Sequence, residues 1–211
     1  RSRSSRAAVP GPLVPLYYQQ RASAGLIISE ATGICREGLG WPYAPGLWSA
    51  EQVEGWKPVT EAVHQAGGLI IAQLWHMGRV VHPSVTGAQA WSASATTAPG
   101  KAHSYDGKQP YEPARAMGHD DIARVIDHYE QAARHAMAAG FDGVQLHGAN
   151  GYLIDQFLRS STNLRDDDYG GSHANRCRLL LEVMARLIAT VGKGRVSVRL
   201  SPNGMVQGCD D

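Results

Sequence analysis

The chain has 211 residues, of which 43% are hydrophobic and 18% charged, with a formal net charge of +1. That length supports one core more readily than two, and the near-balance of charge gives neither a nucleic-acid footprint nor a basic membrane-surface patch. No apolar run approaches the roughly 20 residues that a spanning helix needs. Residues 1–6 are basic, but no apolar segment of the secretory type follows them. Cys35, Cys177 and Cys209 are odd in number and scattered, so they make neither a disulfide framework nor a metal knuckle. Free thiols point to a reducing, cytoplasmic compartment.

In chain order, residues 26–31 read as a short buried strand and the Gly- and Pro-rich residues 32–47 as loop. Ser49 with Gln52 three positions later makes a capping box, opening a helix whose apolar side is Val53, Trp56, Val59 and Val63. Pro58 falls inside that pattern and is expected to kink the helix or end its first turn. Gly67 and Gly68 close it, and residues 69–75 form a second strand. From 77 to 118 no period persists, which predicts a lid or small excursion between a strand and its helix. Asp120 and Asp121 are placed to cap the next helix, with Ile122, Val125, Ile126, Tyr129, Ala133 and Ala136 as its buried stripe and Gly140 as its stop. Residues 142–147 are the third strand. Ser172 starts a further helix, with Leu179, Leu180, Val183, Met184, Leu187 and Ile188 inward and Gly192 at its end; residues 195–201 are the fourth strand. Strand and helix alternate throughout, so 1–211 is predicted to be a single α/β domain with a parallel sheet and right-handed crossovers.

Strand side chains alternate between faces, which sorts the polar groups. Ile70, Ala72 and Leu74 share a row fit for helix packing, while Gln73 and Trp75 share the opposite one with Leu69 and Ile71. Gln145 and His147 oppose Val144 and Leu146; Ser197, Arg199 and Ser201 oppose Val196, Val198 and Leu200. Gln73, Gln145, His147 and Arg199 are thus expected to converge on a common interior near the carboxyl ends of the strands, where α/β enzymes place their chemistry. An Arg buried there needs an anion or acceptor. That partner is either an internal salt bridge or a ligand with an anionic planar ring, which the guanidinium fork suits.

The third strand runs out onto a Gly-rich turn bearing His147, Asn150 and Tyr152. The three can hold an electron-rich oxygen and deliver a proton; taken alone they serve as well as satisfied loop residues. The acidic run at 166–168 reads as a loop cap, and His64, His82, His103, His119, His128, His135 and His173 as surface or loop residues. The nine histidines include no HxH or HExxH pair, which weighs against a metal-dependent hydrolase, and no metal site is predicted.

The segments SEAT at 29–32, APGLW at 44–48, QLWHMGR at 73–79, LHGANGYL at 146–153, QFL at 156–158, NLR at 163–165, DYGGS at 168–172, NR at 175–176 and RLSP at 199–202 together resemble the Old Yellow Enzyme family of FMN-dependent ene-reductases. They occur in order and with family-like spacing from residue 1 to 202. The resemblance implies a TIM (β/α)8 barrel holding FMN noncovalently at the carboxyl ends of the strands, with NADPH or NADH as reductant. By position, Gln73 matches the residue at the flavin pyrimidine edge, Arg199 the one beside N1 and O2, and Ala31 a backbone contact near the reactive edge. His147 and Asn150 match the pair that grips the substrate oxygen, and Tyr152 the proton donor. Trp41 and Trp75 fall where aromatics line the substrate cavity. The implied partner is a small electrophilic alkene: an α,β-unsaturated carbonyl, with nitro compounds and nitrate esters as further candidates. A tyrosine hydroxyl, with an ordinary pKa of about 10, is able to protonate the α-carbon as charge builds on the gripped oxygen.

The family pattern begins one strand earlier and continues through three more strands that carry the FMN phosphate loops. Only strands two to five are therefore expected in this chain, and the isolated chain is expected to lack stable FMN. The alternative function is a cofactor-free, non-catalytic remnant or interaction module of the same fold.

Overall fold

The computed structural model describes residues 3–210. Arg1, Ser2 and Asp211, and with them the start of the predicted basic terminus, lie outside the described residues. The elements in order are α1 (Val14–Gln19), β1 (Ile27–Gly33), α2 (Ala50–Gln65), β2 (Ile70–Trp75), α3 (Pro83–Thr86), β3 (Trp91–Ser92), β4 (Lys101–Ser104), β5 (Gly107–Pro110), β6 (Arg115–Ala116), α4 (His119–Ala138), β7 (Gly143–Gly148), α5 (Leu153–Leu158), α6 (His173–Val191) and β8 (Val196–Leu200).

β1, β2, β7 and β8 form a four-stranded sheet in that order, with every neighbouring pair parallel. Its alternation is the predicted one. Ile70, Ala72, Leu74, Val144 and Leu146 are fully buried and face the helices. Against them lie Val53, Trp56, Val59 and Val63 of α2, the Ile122–Ala136 stripe of α4, and Leu179, Val183 and Leu187 of α6. Leu180 and Met184 are partly buried against this core, whereas Ile188, predicted inward, is 39% exposed. A second cluster sits at the carboxyl ends of the strands, where Leu39, Trp75, Met77, Val80 and Val81 pack with Trp41, Tyr111 and Tyr152.

Ser49 and Gln52 form the predicted capping box, with the Gln52 side chain accepting from the Ser49 N–H and the Ser49 hydroxyl from the Gln52 N–H. The helix does not stop at Pro58 but runs on to Gln65. Trp56, Val59 and Val63 are each fully buried. At about 1.5–3 kcal/mol apiece they outweigh the roughly 3 kcal/mol that an interior proline costs. Asp121, not Asp120, caps α4: its carboxylate accepts from the Gly118 N–H at 3.0 Å.

The predicted excursion at 77–118 is ordered rather than featureless. β3 pairs in parallel with β6, and β4 with β5 forms a small antiparallel hairpin. The short helices α1 and α5, each six residues long, were not predicted. Among the described residues no helix is long and apolar enough to cross a membrane.

Candidate active site

The row of the sheet that faces away from the helices lines an open cleft of about 850 Å³. Gln73, Gln145 and Ser197 stand level on β2, β7 and β8, as do His147 and Arg199 on β7 and β8. The first three are joined across the sheet: Gln73 Nε2 donates to Gln145 Oε1 at 2.7 Å and Gln145 Nε2 to Ser197 Oγ at 3.2 Å. Ala31 is brought level with Gln73 by a bulge in β1, between the pairs Ile28–Ile71 and Ala31–Gln73. The backbone N–H of Gln73 donates to the Ser29 hydroxyl within that bulge at 3.0 Å.

Above this floor the aromatic groups form one cluster. The rings of Trp75 and His147 are stacked at 6.2 Å, and Tyr152 meets both edge-on, at 4.9 Å and 5.1 Å. Trp75 and His147 are buried, yet Trp75 Nε1 and His147 Nδ1 have no hydrogen-bond partner among the described residues. A buried polar atom without a partner carries a desolvation cost that a ligand can remove. Burial, and then the charge of Arg199, push the His147 pKa down to about 4, so its imidazole is neutral at pH 7.

The turn that follows β7 is set by two consecutive left-handed residues, Asn150 at φ +60° and Gly151 at φ +76°. Asn tolerates that region better than most side chains. At Gly151 a Cβ would come within 2.5 Å of Gln207 Cβ, so glycine is required there. The Asn150 N–H donates to Ser201 Oγ at 2.9 Å and the Gly151 N–H to Asp155 Oδ2 at 2.8 Å. Tyr152 is the N-cap residue of α5.

Three residues that hold this turn were missed from sequence. Asp155 and Arg159 form a buried ion pair at 3.1 Å, and Arg159 Nη2 also donates to the Ser201 carbonyl at 2.6 Å. Gln156 is fully buried with both ends of its amide engaged. Its Nε2 donates to the carbonyls of Gly151 and Met77, and its Oε1 accepts from the Arg79 N–H and the Ser92 hydroxyl. The signal available was the polar residues at 155, 156 and 159, beside the apolar residues at 153, 154, 157 and 158, directly after the turn.

The cleft gathers all the residues singled out from sequence: Ala31, Trp41, Gln73, Trp75, His147, Asn150, Tyr152 and Arg199. One expectation is corrected. Arg199 is exposed rather than buried: it lies on β8, at the edge of the sheet among the described residues. The three cysteines are free, with Cys35 and Cys209 buried.

These residues fit a flavin. The side-chain amide of Gln73 and the guanidinium of Arg199 offer an acceptor and donors to a planar imide ring, and the small Ala31 leaves the cleft open beside them. The orphaned nitrogens of Trp75 and His147 lie beside Tyr152, where an oxygen-bearing ligand would seat.

Comparison with known proteins gives the family. The family model for the NADH:flavin oxidoreductase / NADH oxidase family matches residues 4–210. An old yellow enzyme homologue from Zymomonas mobilis is 64% identical and superposes with a TM-score of 0.99 over 100% of this chain and 59% of its own. Morphinone reductase in complex with tetrahydroNAD is 46% identical, with a TM-score of 0.95 over 100% of this chain and 60% of its own. A 12-oxophytodienoate reductase-like protein 2A of Arabidopsis thaliana is 45% identical over 195 residues, 92% of this chain and 72% of the relative. Against the curated relatives the chain spans between 72% and 49% of their length. Its four parallel strands, joined through three helical crossovers, are a partial TIM barrel, and the chain belongs to the Old Yellow Enzyme family of FMN-dependent NADH:flavin oxidoreductases.

Proposed function

We propose that this chain carries the substrate-gripping and flavin-facing residues of an ene-reductase that reduces activated C=C bonds with NADPH or NADH. The observation that carries the reading is the stacked Trp75–His147 pair, each ring with an orphaned nitrogen, beside Tyr152 and above the Gln73–Gln145 floor. The tetrahydroNAD held by morphinone reductase supports a nicotinamide nucleotide as reductant. FMN, when bound, supplies the two-electron redox chemistry between that nucleotide and the alkene.

The rest falls to the protein. Gln73 and Arg199 hold the ring, and Ala31 keeps its edge clear. His147 and Asn150 donate hydrogen bonds to the carbonyl oxygen of the substrate. Because His147 is neutral, it stabilises growing negative charge as a fixed dipole, with the positive field of Arg199 behind it. Tyr152 gives a proton to the α-carbon. Trp41 and Trp75 wall the alkene, with nitro compounds and nitrate esters gripped through the same oxygen contacts.

The test is titration of the chain with FMN, followed by assay of cyclic enone reduction with NADPH. Weak quenching of flavin fluorescence that saturates only at high FMN is expected, with no flavin retained through purification, and Tyr152→Phe is expected to slow alkene reduction more than flavin reduction by NADPH. Equal slowing of both steps removes the proton-donor role. Absence of flavin binding at saturating concentration favours the cofactor-free module instead.

A further inference from the structure

Gln73, Gln145 and Ser197 stand level on three adjacent strands and are joined in a hydrogen-bonded file. Each primary amide has an accepting oxygen and a donating nitrogen, so the direction of one dictates the direction of the next. As built, Gln73 donates to Gln145 and Gln145 donates to Ser197. The reverse order, with the Ser197 hydroxyl donating to Gln145 and Gln145 to Gln73, would use the same positions with both amides turned over. The two orders differ in what Gln73 offers to a ligand in the cleft. In the order found, its nitrogen is engaged with Gln145 and its oxygen is the group left to accept.

That difference matters for the ring edge proposed above. An imide edge presents carbonyl, N–H and carbonyl in turn. Arg199, also on the cleft, has donors only and serves the carbonyls. The floor supplies an acceptor for the N–H in the Gln73 carbonyl oxygen. Resting on the flavin reading, we propose that Gln145 is a positioning residue: by accepting from Gln73 Nε2 it fixes the Gln73 carbonyl as the acceptor for the imide N–H of a flavin, and Ser197 holds Gln145 in that sense.

The experiment compares lumiflavin with N3-methyl-lumiflavin, which lacks the imide N–H, by fluorescence quenching with the chain and with Gln145→Met. The unsubstituted chain is expected to prefer lumiflavin about tenfold, the worth of one hydrogen bond of favourable geometry. Gln145→Met is expected to reduce that preference to less than about threefold, because the Gln73 amide is then free to turn. A merely structural role would weaken both flavins in parallel; an unchanged ratio overturns the proposal. The amide order is read separately in the flavin-free chain by NMR. Contacts from the Gln145 Nε2 protons to the Ser197 β-protons support it, and contacts to the Gln73 γ-protons overturn it. If the unsubstituted chain binds neither flavin, the flavin reading fails, while the NMR contacts still decide the order of the amides.

Discussion

The turn after β7 and the end of β8 face the same cleft and are built on opposite principles. The turn is braced from beneath: Asn150 and Gly151 are pinned through their backbone N–H groups to Ser201 and Asp155, and Gln156 ties the Gly151 carbonyl to the Met77 loop. Arg199 stands exposed on β8, while Ser201, two residues on, is gripped at its carbonyl by Arg159. A group that must meet an oxygen at a defined angle needs a rigid mount. The polar groups that fold the site are therefore concentrated under the turn.

The largest test of that contrast is Asp155→Ala, which takes the carboxylate from the buried Arg159 and the acceptor from the Gly151 N–H. A loss of about 3–5 kcal/mol in urea unfolding is expected. A loss below about 1 kcal/mol would show that the brace is not what holds the turn.

The next test is pH. Burial depresses the His147 pKa to about 4 and that of the fully buried His76 to about 3. Below the unfolded value of about 6.5 the unfolded chain binds protons that the folded chain refuses, so stability falls as pH drops from about 6.5 toward 4. Replacing His147 with Asn is expected to flatten that dependence by up to about 1.4 kcal/mol per pH unit. Parallel curves for the two proteins would mean that His147 titrates normally.

Asn150 separates backbone from side chain. Asn150→Ala should destabilise by about 1 kcal/mol because alanine is strained at positive φ, whereas Asn150→Gly should not. With flavin present, both should weaken phenol binding about tenfold if the side chain grips the ligand oxygen. Unchanged phenol affinity in the glycine variant would remove that role.

The smallest effect is expected at the other end of the cleft. Arg199→Ala should change stability by less than about 0.5 kcal/mol, as exposed substitutions do. It should nevertheless raise the His147 pKa from about 4, because Arg199 is one of the two causes of its depression. An NMR titration of the imidazole would show it, and a static pKa would mean that burial alone sets the value.

Much of the fold was legible because its signals are periodic. The alternation along β2 and β7 correctly divided Ile70, Ala72, Leu74, Val144 and Leu146 from Gln73, Gln145 and His147. Caps with a local chemical signature, such as Ser49 with Gln52, were equally plain. The supports of the site were not. α5 is six residues long, too short for a helical period to repeat, so no pattern marked Asp155, Gln156 and Arg159 as supports of the turn. Burial of Arg199 was misjudged for another reason: alternation tells which way a side chain points and nothing about what covers it. The strands of the 77–118 excursion run to only two or four residues, and two-residue pairings leave no pattern to read.

The bulge in β1 has a bearing on which changes this strand can survive. Were the same residues paired without the bulge, the register of Ile28 with Ile71 would carry forward to set Glu30, not Ala31, level with Gln73. A carboxylate would then stand where a methyl group now stands, beside the amide floor. The inserted residue works as a phase shift, letting one short segment keep its early apolar contacts and still end on a small side chain at the cleft. Substitutions in 28–31 alter one position each, and deletion of Ser29 or Glu30 would remove the bulge while keeping Ala31 level with Gln73; only straightening the strand with all its residues kept would bring Glu30 to that place.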